Sequence, residues 1–293
     1  MAQFNAIISE IETATGKNLQ NATISSIGGG CINSAYRLDN GDASYFIKVN
    51  SPNLGQMFEA EAHGLQEMAA TQSVRVPEVI GFGVADGHSY LALEYIPLGS
   101  MRGGATTTLG KQLAQMHKVA QPYFGWHMDN TIGSTPQIND RSHDWLSFWQ
   151  QERLGQQLRF AAGNGFGGRL QSQGEKLLAD LDKILDGHNP TPALLHGDLW
   201  GGNASGDDQG QPVIFDPACY YGDREADLAM TELFGGFGAD FFTAYNDEYP
   251  VDSGYQQRKT LYNLYHILNH LNLFGGGYLG QAESMIDRLL SQV

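Results

Sequence analysis

The period of apolar and polar positions changes several times along the chain. Phe4, Ile7, Ile8 and Ile11 recur at helical spacing and predict an amphipathic helix at the start. From Thr23 the period shortens: Thr23–Ile27, Cys31–Leu38 and Ser44–Val49 read as strands, with a turn at Asp39-Asn40-Gly41-Asp42. Met57–Ala70 returns to helical spacing, with Phe58, Leu65 and Met68 on one stripe. Val76–Ile80 and Ser89–Ile96 predict two further strands, turned at Asp86-Gly87. After Pro97 the composition shifts to Gly, Ser and Thr, and the remainder reads as mainly helical. Leu109, Leu113, Met116 and His117 mark one helix, and Trp145, Phe148 and Trp149 begin another. Leu177–Leu185 marks a third, stopped by Pro190 and Pro192, and roughly Gln256–Phe274 a last long one. Pro122–Pro136 reads as irregular, and Val213-Ile214-Phe215 as a short buried strand.

This order predicts an α+β protein: an antiparallel sheet with a helix over residues 1–97, then a mainly helical lobe over 98–293. The length of 293 residues allows each lobe its own core. A net charge of −15 argues against nucleic acid or an anionic membrane surface as partner, because both need a basic face. It does not argue against a nucleotide, whose phosphates need only local neutralisation. No stretch approaches the ~20 apolar residues of a membrane span. Met-Ala-Gln-Phe-Asn-Ala-Ile lacks the basic start and apolar block of a signal peptide. Two cysteines do not make a disulfide scaffold. The expectation is a cytoplasmic protein.

Chemistry enters at four places. Lys48 stands between Ile47 and Val49 in a predicted strand, where a buried ammonium needs a partner. Glu61 lies on the apolar stripe of the next helix, whereas Glu59 falls on the polar side with Gln56, His63 and Gln66. The two are expected to pair and to place Lys48 on nucleotide phosphates. Gly28-Gly29-Gly30 would let backbone amides approach a phosphate, and the backbone at Glu94-Tyr95-Ile96, where a strand runs into a linker, could pair with an adenine edge. The densest cluster is His196–Asn203, His-Gly-Asp-Leu-Trp-Gly-Gly-Asn, followed by the strand that ends at Asp216. Asp198 can take a hydroxyl proton, while Asn203 and Asp216 offer oxygens to the magnesium that holds ATP.

Around this cluster, Asp227 could brace the loop, and Trp200 either packs on a sugar chain or anchors the lobe. Asn263, His266 and His270 align on the last helix as a polar stripe facing a substrate, or as a solvated face. His266 and His270 also have the spacing of a metal pair, but no Glu follows His266 and no third ligand is evident. The stretch between Asp216 and Asp227 is too short to dock an extended peptide, so the acceptor should be a small group.

Taken together, these motifs resemble the protein kinase-like superfamily, and His-Gly-Asp looks like its aminoglycoside and choline kinase branch. More specifically, the chain resembles the fructosamine kinases, or ketosamine-3-kinases. Gly28–Tyr36, Phe46–Asn50, Met57–Leu65, Phe124–Gln137, Leu195–Asn203, Ile214–Met230, Leu233–Phe237 and Leu268–Gly277 carry the likeness, which spans nearly the whole chain. It implies a protein kinase-like bilobal fold with an antiparallel-sheet N-lobe and a mainly helical C-lobe. It also implies ATP- and Mg2+-dependent phosphorylation of the 3-hydroxyl of small-molecule or protein-bound ketosamines, with ribulosamines and erythrulosamines favoured over fructosamines. Because relatives with a cysteine in the glycine loop look redox-sensitive, Cys31 is either a small strand residue or a redox switch, and the protein a monomer or a Cys31-dependent homodimer. Rival readings are a kinase of another amino alcohol and a silent nucleotide-binding regulator.

Overall fold

Tyr45, Ile47 and Val49 alternate in Ser44–Asn50 and turn one buried face of this strand onto Phe4, Ile7, Ile11 and Leu38. In this computed structural model, which describes residues 4–28 and 32–293, that strand is the middle of a five-stranded antiparallel sheet. Its strands are β1 (Thr23–Ile27), β2 (Ser34–Asp39), β3 (Ser44–Asn50), β4 (Val79–Ala85) and β5 (His88–Glu94), in the order β1-β2-β3-β5-β4. Helix α1 (Asn5–Thr15) covers one face through Ile7 and Ile11. The Asp86 carboxylate accepts from the amides of Ala6 and Ile7 at 2.7 and 3.3 Å, which satisfies helix-start donors and complements the dipole. Helix α2 (Gly55–Ala70) packs on β4 and β5 and buries Phe58, Leu65 and Met68, the stripe expected from spacing.

The fourth strand lies later than the expected Val76–Ile80. Pro77 has no amide to donate, and the observed strand runs through Gly81 and Gly83, which give no alternation signal; its register also shifts between Val79 and Gly81.

The chain forms two compact units, Met1–Thr106 with Ala204–Pro217, and Thr107–Asn203 with Ala218–Val293. This differs from the expected division at residue 97 in both the linker and the hairpin of Ala204–Gly206 with Pro212–Ile214. Backbone pairing explains the difference. Gly99 and Gly206 exchange two 2.8 Å hydrogen bonds, the Arg102 amide donates to Gly210, and the Ile214 amide donates to the Arg75 carbonyl.

The second unit is mainly helical. Its longest helix, Tyr255–Phe274, is buried along most of its length and packs on Arg224–Leu233 and Leu279–Leu290. Trp145, Trp149 and Tyr262 pack tilted and edge to face in its core, with the Trp145 indole donating to the Tyr262 hydroxyl. The helix expected over Leu177–Leu185 is two pieces, Arg169–Ala179 and Leu181–Ile184, broken at Asp180. The stretch read as irregular contains a tight hairpin, Asn130–Ile132 with Thr135–Gln137, whose turn places Gly133 at φ +63°. Among the described residues no helix is long and apolar enough to cross a membrane.

Candidate active site

In the first unit, strand periodicity turns Lys48 away from the Ile47 and Val49 face and toward α2. Its Nζ donates to Glu61 Oε1 at 2.7 Å and to Asp216 Oδ1 at 2.5 Å. The Lys48 residue is 7% exposed and the Glu61 side chain 11%, while that of Asp216 is 49% exposed. Burial by itself would lower the Lys48 pKa; the Glu61 and Asp216 carboxylates outweigh it and hold the pKa above its ordinary value, so the ammonium stays charged. Asp216 lies two residues beyond the strand end at Ile214 and sits at φ +57°, an uncommon conformation for a residue other than glycine.

At the end of β5, the Glu94 carboxylate accepts from Arg75 at 2.8 Å, and the Glu94 amide donates to Glu78. The Tyr95 amide donates to Ser44, and the Arg37 guanidinium lies 4.4 Å over the Tyr95 ring. Ile96 is buried. Among the described residues, no atom lies within 4 Å of a Cβ added to Gly28. Gly29, Gly30 and Cys31 lie outside the described residues.

In the second unit, the fully buried strand Ala193–Leu195 pairs antiparallel with Tyr220–Gly222 and delivers His196 into the core. Asp227 holds the loop that follows. One carboxylate oxygen accepts from the His196 amide at 2.7 Å and His117 Nε2 at 3.1 Å, and the other accepts from the Gly197 amide at 2.8 Å. Burial would raise the Asp227 pKa, but the bond and charge of His117, with His196 and Gly197, bring it below the ordinary value. Gly197 cannot be another residue: it adopts φ +80°, and an added Cβ would lie 2.0 Å from the Ala218 carbonyl oxygen. The Asp198 amide donates to His196 Nδ1 at 3.2 Å.

Asn203 Nδ2 donates to the Asp198 backbone carbonyl at 2.8 Å and to its carboxylate at 3.2 Å. The structure therefore brings together Asp198 and Asn203 in one unit, and Lys48, Glu61 and Asp216 in the other. With its nitrogen turned to Asp198, the carboxamide oxygen of Asn203 is the atom suited to a cation. Asn203 in one unit and Asp216 in the other each offer an oxygen donor, a donor type that suits magnesium rather than a softer metal. A different group, His188, Glu225 and Asp252, has ligand atoms within 4.8 Å of one another. Arg258 bonds both of its carboxylates and already supplies a fixed cation there.

Trp200 is exposed, and its ring lies over Gly202, where a Cβ would come within 2.3 Å of the indole. His266 is buried, with Nδ1 unpartnered; burial, reinforced by the His270 charge, pulls its pKa down to about 3. His270 is half-buried and its Nδ1 contacts the His266 carbonyl at 2.8 Å. Among the described residues, Asn263 Oδ1 is a second buried atom on this helix that finds no partner. Sequence reasoning missed Arg153, whose buried guanidinium lies 4.0 Å from the Tyr220 ring and donates to Ile138 and Asn139. It also missed Gln137, which accepts from Tyr265 and donates to the Ala218 carbonyl beneath the loop.

The fructosamine kinase family model matches residues 3–292. The chain belongs to the fructosamine kinase family. Among its relatives, it is 47% identical over 293 residues to a probable ketoamine kinase of Synechocystis sp., covering 99% of this chain and 97% of the relative. It is 45% identical over 280 residues to a chloroplastic protein-ribulosamine 3-kinase of Oryza sativa subsp. indica, covering 94% and 81%. The solved structure of a candidate fructosamine-3-kinase from Haemophilus somnus superposes with a TM-score of 0.89 at 31% identity, covering 97% and 96%. The kinase-like fold extends to an aminoglycoside phosphotransferase, solved with ADP and hygromycin B, at a TM-score of 0.65, 15% identity and 93% and 95% coverage. This fructosamine kinase family member thus has the α+β, protein kinase-like fold expected from its motifs.

Proposed function

We propose that the chain transfers the γ-phosphoryl group of ATP to the 3-hydroxyl of ketosamines, with ribulosamine and erythrulosamine adducts as the favoured acceptors. The observation that carries this reading is the Lys48 ammonium bonded to both Glu61 and Asp216, a phosphate-binding cation held beside a metal-ligating acid. The relatives that act on ketoamines and on protein-bound ribulosamines support the acceptor class. Lys48 offsets charge on the phosphates, and Gly28, Gly29 and Gly30 offer backbone to them. The backbone of Glu94, Tyr95 and Ile96 receives the adenine. Asn203 and Asp216 are the magnesium ligands, and bound magnesium neutralises charge on the transferring group.

Asp198 accepts a hydrogen bond from the acceptor hydroxyl and aims it. A carboxylate is a weak base toward an alcohol, so in a loose transition state orientation contributes more than early proton removal. Trp200, His266 and His270 meet the acceptor. The test supplies radiolabelled ATP, magnesium and separate acceptors: ribulosamine, erythrulosamine, fructosamine, choline and an aminoglycoside. Label on ketosamines alone is expected, and label on choline or the aminoglycoside but no ketosamine would overturn the reading. The proposed redox role of Cys31 has its own check. Oxidant should lower activity and yield a thiol-reversible dimer that Cys31→Ala abolishes, whereas oxidation-insensitive kinetics would remove that role.

A further inference from the structure

Five rings form a continuous series in the second unit, starting two residues after Asp198. The Trp200 ring lies 6.4 Å from Phe234, edge to face, and Phe234 lies 4.8 Å from His270. His270 in turn lies 5.4 Å from Phe274 and 5.1 Å from Tyr278, which also face one another at 6.4 Å. Trp200, Phe234 and Phe274 are 41%, 42% and 63% exposed. A single exposed aromatic needs no explanation, but three in one ring series form an apolar strip on the surface.

The backbone builds this strip. A Cβ on Gly236 would fall 2.8 Å from the Gly201 Cα, so two glycine pairs bring the loops bearing Trp200 and Phe234 together. Gly275, at φ +90°, ends the helix directly after Phe274, and the turn Gly276–Tyr278 returns Tyr278 to His270.

We propose that Phe234, Phe274 and Tyr278 form a subsite for the amine carrier of the acceptor, and that its occupant is the alkyl stem of a lysine bearing the sugar. This rests on the ketosamine reading above. On that reading the amine sits on carbon 1 of the sugar, two carbons from the hydroxyl that Asp198 aims, and the strip that starts at Trp200 would take the chain attached to it. A lysine stem is an apolar chain ending in a secondary ammonium. Aromatic rings bury such methylenes and attract such a cation with their π faces. None of the five side chains carries a full charge when His270 is neutral, and burial lowers its pKa, so the strip does not repel the ammonium. The exposure of Phe274 leaves room for the rest of a peptide.

The experiment compares kcat and KM for the ribulosamines of methylamine and of an N-acetyl-lysine amide, in the unaltered protein, Phe274→Ser and Phe274→Leu. The unaltered protein is expected to favour the lysine adduct. Phe274→Ser should raise KM for that adduct about tenfold, with kcat and the methylamine adduct unchanged, and Phe274→Leu should recover part of the loss. Equal effects on both adducts, or none on either, would overturn the subsite alone. Phosphorylation of neither adduct by the unaltered protein would overturn both the subsite and the ketosamine reading.

Discussion

Gly201 and Gly236 touch backbone to backbone: a methyl group on Gly236 would lie 2.8 Å from the Gly201 Cα. Gly236 also adopts φ +103°, which a side chain resists independently of the space. Gly236→Ala therefore has to move the loop that carries Phe234 or the loop that carries Asp198. The expected result is a stability loss of about 1–3 kcal/mol with at least a tenfold fall in kcat/KM for the ketosamine. Urea unfolding and steady-state kinetics check it; an unchanged kcat/KM would show that the contact does not position the site.

Asp198→Ala should abolish phosphorylation and leave ATP binding nearly intact. The loop survives the change because Asn203 keeps its 2.8 Å bond to the backbone carbonyl of residue 198, and Asp227 still holds His196 and Gly197. Calorimetric titration with ATP alongside product formation separates the two properties. Loss of both together would mean that Asp198 serves nucleotide binding instead.

Lys48→Met removes the ammonium from two acids at once. Glu61 is then buried without its cation, at a cost on the order of 3 kcal/mol that falls if the acid protonates. Turnover should drop at least about a hundredfold. Glu61→Gln should be milder, since Lys48 still reaches Asp216. The ordering in kcat/KM for ATP, unaltered above Glu61→Gln above Lys48→Met, is the measurement; a Lys48→Met enzyme with ordinary kcat/KM would remove Lys48 from the phosphates.

The Lys48–Glu61 pair was legible because both lie in regular elements, where spacing alone says which side chains turn inward. Its second acid, Asp216, is 168 positions from Lys48, and no period spans such a separation. The bracing of the His196–Asn203 loop by Asp227 was readable from the place of this acid on a helix with Leu228 and Met230. What escaped was set by backbone geometry. Gly81 and Gly83 erase the alternation of β4, and Gly133 makes a hairpin in a stretch with no apolar run. The same holds for Ala204–Gly206 and Pro212–Ile214, whose placement with the first unit depends on amide bonds from Gly99, Arg102 and Ile214 rather than on side chains. Arg153 gave no signal in the sequence, because the cage of Phe148, Tyr220 and Tyr265 around it is assembled from three separate segments.

His266 gives the protein a pH-dependent stability whose direction can be fixed. Its folded pKa of about 3 lies below the ordinary 6.5, with burial the largest cause and the His270 charge next. Between these values the unfolded chain binds the proton and the folded chain does not, so stability falls as pH drops below 6.5 and is fully retained above it. The slope approaches about 1.4 kcal/mol per pH unit. His188, raised by its Asp223 partner against the opposing effect of burial, acts in the other sense, because its contribution is present below 6.5 and fades as pH rises through its folded value. The net curve of the unaltered protein mixes the two, and comparison with His266→Gln isolates the first. Urea midpoints at pH 7.5 and 5.5 should shift less in His266→Gln than in the unaltered protein, by the equivalent of about 1 kcal/mol. Equal shifts in both proteins would mean that His266 takes up its proton in the folded state, and the neutral, buried imidazole would have to be abandoned.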